Sequence, residues 1–418
     1  MAQLLQFFPI YYTITFGGVN MYFGLKRLHK QVADVFDEVA AFRRDIHMHP
    51  ELSEHEARTE TKICDWLNAL DIPYEKGIAG HGICATIYGQ RTDKTAAIRA
   101  DIDALPVTEQ TGLPYASQNE GVMHACGHDM HTSILLGVAK ILKANQASLP
   151  GTVRLLFQPS EETIGGARQM IEVGCLQDPD IKNIIALHVE PHVDCGKLEF
   201  VKGYMNAATC EFRLTVKGRS CHGAHPDGGI DVLPPACAIV SGLQTIVTRN
   251  IPPTTPVIIS IGTFHSGTAS NIISGEATLT GTLRTFDLDL RDSIKERIRK
   301  MAEDTASSYG ASCDVAFEDG YPSLKNSDAL FDLLTPIMED IFGKDNIVYA
   351  DVPSLGADDF AYFTQGYQGL YFNLGTHDPQ SATYDSLHNE HFAPQEDALR
   401  IGMLAELAAV YTILNSDF

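Results

Sequence analysis

Basic residues are scarce in this sequence: 31 lysines and arginines stand against 53 aspartates and glutamates, a formal charge of −22. So acidic a surface repels phosphate backbones and anionic lipid, which argues against nucleic acid and membrane surfaces as partners. The nine cysteines, at 64, 84, 126, 175, 195, 210, 221, 237 and 313, are an odd set with no Cys-x-x-Cys pair and no regular spacing. No disulfide framework is expected from them. Scattered thiols in a long chain fit small buried residues in a reducing compartment, which points to the cytoplasm. No run of 18 apolar residues occurs. The aromatic and β-branched segment Phe7 to Phe23 lacks a basic stretch before it and a small-residue cleavage pattern after it, and Tyr11, Thr13, Thr15, Gly17, Gly18 and Asn20 interrupt it. It is therefore read as neither a signal peptide nor a membrane span, and Met21 is a candidate start of the native chain. No internal repeat or low-complexity stretch is visible.

What remains is a folded, globular composition. Hydrophobic residues make up 44 % and charged residues 20 %, with 34 glycines and 20 prolines dispersed along the chain. At about 150 residues per domain, 418 residues predict two or three domains with a sizeable core. Apolar positions at helical spacing from Gln31 to Phe42, and again from Glu56 to Leu70, predict two amphipathic helices. Strands then alternate with helices: 95–100, 152–157 and 183–188 read as buried strands, 132–143 and 167–173 as helices. This is an α/β rhythm, with polar groups at Asp101 to Asp103, Gln158 to Glu162 and His188 to Glu190 just past the strand ends, where open α/β sheets bind ligands. Between about Met205 and Ser312 the rhythm becomes strand, helix, strand, strand, helix (211–216, 231–248, 257–263, 276–285, 290–308), which reads as an inserted small domain. The α/β pattern resumes with a helix over 329–341, a strand over 370–372 and a helix from Glu396 to about Leu414. The expected organisation is an uncertain extension over 1–30, a main domain over 31–204 and 313–418, and an insert over 205–312.

The densest chemistry lies in Met123-His124-Ala125-Cys126-Gly127-His128-Asp129-Met130-His131, which packs one thiol, three imidazoles and a carboxylate into nine residues. A lone cysteine or histidine is ordinarily a structural residue, but such a cluster is costly to bury, and thiolate and imidazole are preferred ligands of divalent transition metals. A strand then ends in Gln158-Pro159-Ser160-Glu161-Glu162. Adjacent side chains at a strand end diverge, so one carboxylate can bind a metal while the other handles protons. On these residues alone a solvated acidic turn opening a helix fits equally well. His188, after the apolar run Ile184 to Leu187, and His388, in Ser386-Leu387-His388-Asn389-Glu390-His391, are weak signals singly. With Cys126, His128 and Glu162 they give five donors, which suits two metals about 3.5–4 Å apart sharing one bridging group.

Four stretches together, Arg99-Ala100-Asp101-Ile102-Asp103-Ala104-Leu105-Pro106, the ACGHD stretch around Cys126, the QPSEE stretch ending at Glu162 and the GADDFAYF stretch from Gly356, resemble the binuclear metallopeptidase-type amidohydrolases. The likeness is to the branch of aminoacylases, hippurate hydrolases and auxin-amino acid conjugate hydrolases, and it runs in order from about Phe42 to Ala408. The resemblance implies a two-domain fold: a mixed-sheet α/β metallohydrolase catalytic domain with an inserted α+β lid of the dimerisation type. It implies two divalent ions (zinc, manganese, cobalt or nickel) held by Cys126, His128, Glu162, His188 and His388, with Glu161 as general acid/base. Asp103 aligns with an aspartate that orients a ligand. Asp101 stands where the wider family has a histidine ligand, and Cys126 where it has a bridging aspartate. In the insert, Gly218-Arg219-Ser220-Cys221-His222-Gly223-Ala224-His225-Pro226, Asn271-Ile272-Ile273 and Gly281-Thr282-Leu283-Arg284 resemble the lid, whose histidine and asparagine approach the scissile carbonyl and whose arginine takes the substrate carboxylate; His222, Asn271 and Arg284 occupy those positions. Thr163, Asp358 and Cys210 depart from common residues of the family, so the acyl pocket is this chain's own. The implied activity is hydrolysis of an N-acyl amino acid, hippurate-like or N-acetylated, by a homodimer or higher oligomer joined through the lid. A dipeptidase or carboxypeptidase, a deacylase of an N-acyl diaminopimelate, and a non-catalytic metal-binding sensor are the alternatives. A pure sensor has no need of Glu161.

Overall fold

The computed structural model describes residues 14–16, 19–21 and 25–417. The readings made on Phe7 to Phe23 fall largely outside them. The chain opens with a short hairpin, β1 (Ile14–Phe16) and β2 (Val19–Met21). It continues through α1 (Leu25–Met48), α2 (Ala57–Ala69), β3 (Tyr74–Ile78), β4 (Gly82–Ile87), β5 (Thr95–Asp101), α3 (His128–Ala144), β6 (Thr152–Gln158), α4 (Gly166–Glu172), β7 (Asn183–Asp194) and β8 (Leu198–Phe200). Next come β9 (Tyr204–Asn206), β10 (Ala208–Lys217), β11 (Cys221–His222), α5 (Leu233–Asn250), β12 (Val257–Ser266), β13 (Ile272–Ile273), β14 (Glu276–Thr285), α6 (Leu288–Ser308) and β15 (Ser312–Asp319). The remainder holds β16 (Leu324–Lys325), α7 (Asp328–Phe342), β17 (Ile347–Tyr349), α8 (Ala361–Gly366), β18 (Gln368–His377) and α9 (Ala398–Asn415). Two compact units result, one of Met1–Gly203, Lys325–Val352 and Tyr362–Phe418, the other of Tyr204–Leu324 and Pro353–Ala361.

The first unit is built on an eight-stranded mixed sheet in the order β17-β8-β18-β7-β5-β6-β4-β3. The inner strands β18, β7, β5 and β6 run parallel, and β4 and β3 close one edge antiparallel. Every residue of β4, β5 and β6 is buried. Strands covered on both faces have no polar side to present, which is why they read as continuous apolar runs rather than alternations. Helices α1, α3 and α9 pack on one another, and α3 and α9 lie against β5 and β7. Strand order reverses about β5, with β6 on one side and β7 on the other. That is a topological switch point, where the loops after neighbouring strands diverge and leave a crevice.

In the second unit, β12-β14-β10-β15 form an antiparallel sheet. Burial alternates along β10 and β14, so one face carries a core shared with α5 and α6. Asp287 caps α6, its carboxylate accepting the Leu290 N–H at 2.9 Å. This unit is larger than the insert expected over 205–312, because Ser312–Asp319 adds β15 to β10 along its whole length and residues 353–361 join as well. Helix α1 starts at Leu25, inside the expected extension over 1–30. Strands β3, β4, β8 and β15 were not foreseen; β3 and β15 are mostly exposed and carry little apolar pattern.

Candidate metal centre

Two strand ends, the middle of β7, the start of α3 and two loops of the first unit bring the chemistry together; β7 runs to Asp194, so His188 lies within it and not past the expected strand end at 188. Asp101 ends β5 opposite Gln158, the last residue of β6. Asp101 and His188 each lie two residues beyond the paired Arg99 and Ala186, so His188 stands level with them on β7. Helix α3 begins at His128, four residues before the expected Thr132. Its start is set by Gly127 in the left-handed region (φ 79°), where a Cβ would meet Val189 Cγ2 at 2.4 Å. His128 and His131, three apart, therefore share a helix face, their rings 5.4 Å apart. His388 sits in a loop at φ 64°, and its N–H donates to the Ala125 carbonyl at 2.9 Å, which ties that loop to the Cys126 segment. A histidine held left-handed costs about 1–3 kcal/mol that the surrounding packing must offset.

The donor atoms fall into overlapping groups, each within 4.8 Å: Cys126, His128 and His188; Cys126, Glu162 and His388; and His128, Glu161 and Glu162. The first two share the Cys126 sulfur. His188 Nε2 is 3.4 Å from Sγ of Cys126, and Glu162 Oε1 is 3.4 Å from His388 Nε2 and 3.9 Å from His128 Nε2. All five predicted ligands, with Glu161, thus come to one place.

Groups behind the donors settle which ring nitrogen faces inward. Nδ1 of His128 is 3.1 Å from Asp103 Oδ1, and Nδ1 of His188 is 2.7 Å from the Val189 carbonyl. Both partners only accept, so Nδ1 carries the proton and Nε2 the lone pair in each neutral ring. The other oxygen of Asp103 accepts from the Ser53 hydroxyl at 2.7 Å and from the Glu162 N–H at 3.0 Å, so one buried carboxylate fixes both a histidine and the acidic turn. Asp101 accepts from Arg99 at 2.7 Å and from His131 Nδ1 at 2.5 Å, while His131 Nε2 accepts the Val189 N–H at 2.9 Å. With both nitrogens committed, His131 has no lone pair to offer a cation, although Asp101, His128 and His131 also lie within 4.8 Å. It is instead a strut between β5 and β7.

The donor set fits divalent transition cations. His128 Nε2 and Glu162 Oε1 are buried and find no hydrogen-bond partner among the described residues, an expensive state for groups of this polarity. Burial and the nearby Glu162, Glu161 and Asp101 carboxylates push the Cys126 thiol far up. Burial opposes the charging of His128, yet Asp101, Asp103 and Glu162 raise it to about 10. A thiol and an imidazole that both hold their protons mark a strongly negative potential, and a cation would replace those protons.

In the second unit, β11 and β13 pair His222 with Ile272, and the Gly223 N–H donates to the Asn271 carbonyl at 2.7 Å, so His222 and Asn271 are neighbours. A Cβ on Gly223 would stand 3.0 Å from the Asn271 backbone, a tight contact that would need the strand to give by a few tenths of an ångström. His222 Nδ1 accepts the Ala224 N–H at 3.0 Å. Arg284 lies on β14, its Nε 3.2 Å from the Thr282 hydroxyl.

Sequence reasoning missed the work of His131, Arg99 and Ser53, and a buried cluster behind α3. There Arg43 donates to Asp129 at 2.7 Å and His47 Nδ1 lies 2.9 Å from the same oxygen. Burial, which alone would raise Asp129, is outweighed by Arg43 and His47, and its carboxyl stays far below the usual range. Asp129 stood in the Cys126 cluster, but its partners come from α1, about eighty residues earlier.

Among the described residues one helix, α9, is long and apolar enough to cross a membrane, and 78 % of that stretch is buried within the fold. The profile of Peptidase family M20/M25/M40 matches residues 97–411. The chain is 37 % identical over 385 residues to thermostable carboxypeptidase 1 of Saccharolobus solfataricus, covering 91 % of this chain and 96 % of that one. It is 36 % identical over 375 residues to an N-acetylcysteine deacetylase of Bacillus subtilis, covering 88 % and 95 %. The crystal structure of the Bacillus subtilis YXEP protein, described as a dinuclear metal binding peptidase from the M20 family, superposes with a TM-score of 0.78 at 32 % identity over 93 % of this chain and 99 % of that one. The chain therefore belongs to Peptidase family M20/M25/M40 and is a hydrolase of amide bonds.

Proposed function

We propose that this enzyme hydrolyses the amide bond of N-acyl amino acids, hippurate-like or N-acetylated, releasing a carboxylic acid and a free amino acid. The reading rests above all on two donor groups that share the Cys126 sulfur, with the buried Glu161 beside His128 and Glu162. Cys126, His128 and His188 would hold one divalent ion, and Cys126, Glu162 and His388 a second. Bound there, the two ions would supply an acidified water and polarise the substrate carbonyl. Glu161 then takes the proton from the attacking water and delivers it to the leaving amine, for which a carboxylate within hydrogen-bond reach suffices near neutral pH. Asp103 keeps His128 in its Nε2-presenting tautomer and anchors the Glu162 backbone. In the proposed lid, His222 and Asn271 would donate to the developing oxyanion and Arg284 would bind the substrate carboxylate bidentately. The free thiols favour a reducing compartment, the cytoplasm.

The likeness to a carboxypeptidase supports a second reading, cleavage of the last residue of a short peptide, since a single carboxylate on the departing product serves both. The test is release of free amino acid from a panel of N-acetyl and N-benzoyl amino acids and of dipeptides, before and after chelation and with zinc, manganese, cobalt or nickel restored. Chelator-sensitive cleavage of acyl amino acids over dipeptides is expected. A preference for dipeptides selects the second reading, and cleavage indifferent to chelation overturns both.

A further inference from the structure

Away from the metal centre, on the β4 side of the sheet, two thiols and a guanidinium meet. Cys84 lies on β4, paired with Leu156 of β6 and Glu75 of β3. Cys175 lies in the turn that ends α4, directly after Gly174 at φ 85°. Cys84 Sγ donates to the Cys175 carbonyl at 3.6 Å, which sets the two cysteines side by side. Arg154, on β6 and itself buried, donates from Nη1 to Cys84 Sγ at 3.0 Å and from Nη2 to the Asp178 carbonyl. A buried guanidinium calls for a compensating anion, and the sulfur it touches can become one.

We propose that Cys84 and Cys175 form a peroxide-reactive dithiol that closes to an intramolecular disulfide. Cys84 is the attacking sulfur and Cys175 the resolving one. The Cys84 thiolate attacks hydrogen peroxide: one sulfur–oxygen bond forms, the oxygen–oxygen bond breaks, the departing hydroxide takes up the proton the thiol gave and leaves as water, and Cys84 becomes a sulfenic acid. The Cys175 sulfur then attacks the Cys84 sulfur, its proton leaves with the departing hydroxyl as a second water, and the disulfide forms. Two thiols and one peroxide give one disulfide and two waters, and no further oxidant is needed. Closing the disulfide brings the two sulfurs to about 2 Å. The asymmetry of the pair agrees. The hydrogen bond from Cys175 and the adjacent Arg154 hold the Cys84 thiol below its ordinary range against the opposing effect of burial, while Cys175 is pushed up. Cys64, Cys210 and Cys313 are all pushed up, chiefly by burial. Glu161 and Glu162 precede α4, so the bond would tie to β4 the far end of the segment that follows the acidic turn.

The test uses the full-length, metal-loaded protein, exposed to stoichiometric hydrogen peroxide, alkylated and mapped by peptide mass spectrometry. A Cys84–Cys175 cross-linked peptide is expected, with this pair consumed about tenfold faster than Cys64, Cys210 or Cys313. In the Cys175→Ser variant, Cys84 is expected to accumulate as a sulfenic acid trapped by dimedone. Exchange of Arg154→Gln is expected to slow cross-linking. Oxidation of the wild-type chain without that cross-link, or consumption of the pair no faster than the other buried thiols, overturns the proposal. The wild-type map needs no variant to fold, so this outcome stands by itself.

Discussion

Neighbouring residues of one acidic turn take different tasks in this reading although donor atoms of Glu161 and Glu162 lie within 4.8 Å of each other: Glu162 also groups with Cys126 and His388, and Glu161 does not. Glu161→Gln is expected to retain both metals and to lose about 10²- to 10⁴-fold in kcat, because the amide keeps the shape but cannot carry the proton. Glu162→Ala is expected to lose metal first. Metal content by mass spectrometry beside turnover separates them, and equal activity in either variant contradicts the assignment. Asp103→Asn tests the orienting role in a different way. An amide placed on His128 Nδ1 can present its N–H₂ as readily as its oxygen, so the Nε2-presenting tautomer loses its support. Metal affinity should fall about 10- to 100-fold, read by competition with a chromophoric chelator, whereas substrate binding by the loaded enzyme should change little.

Elements locate the site through close approach rather than through side-chain chemistry. The left-handed Gly127 lets α3 start against β7, so His128 and His131 face the strand that carries His188. Gly127→Ala puts a methyl into Val189 and strains the backbone, at an expected cost of about 1–3 kcal/mol in urea unfolding. Because Val189 is also the contact of His131 and His188, metal affinity should drop in parallel. An unchanged urea midpoint would mean that α3 has another way to begin. The helices α5 and α6 were legible because their buried residues recur at helical spacing. Strand β15 was not, since one exposed edge strand with a charged face carries no such period.

Within the first unit, the core buries ionisable groups outside the candidate site, Glu406 among them. Glu406 on α9 is buried, its Oε2 finds no hydrogen-bond partner among the described residues, and burial alone drives its carboxyl far up. A carboxyl raised in the folded state contributes fully below its unfolded value and loses that contribution as pH rises, because the unfolded chain ionises while the folded one does not. Glu406→Gln should therefore be near neutral at about pH 4.5 and increasingly stabilising above it, by at most about 1.4 kcal/mol per pH unit. Urea midpoints of the two proteins across that range check this, and a constant difference would refute it.

Sequence by itself determined the α/β rhythm and offered the donor side chains that the fold brings together at the candidate metal centre. Those features are local: buried parallel strands need continuous apolar runs, helices need a 3.6-residue period, and transition-metal donors are confined to a few residue types. Only the tertiary structure decided that His128 and His188 present Nε2, that His131 braces the site instead of joining it, that Asp129 faces Arg43 from α1, and that Cys84 meets Cys175 beside Arg154. All but the His188 orientation, which the next residue's carbonyl sets, depend on a partner tens of residues away, and a hydrogen bond leaves no trace in the composition of either segment that makes it.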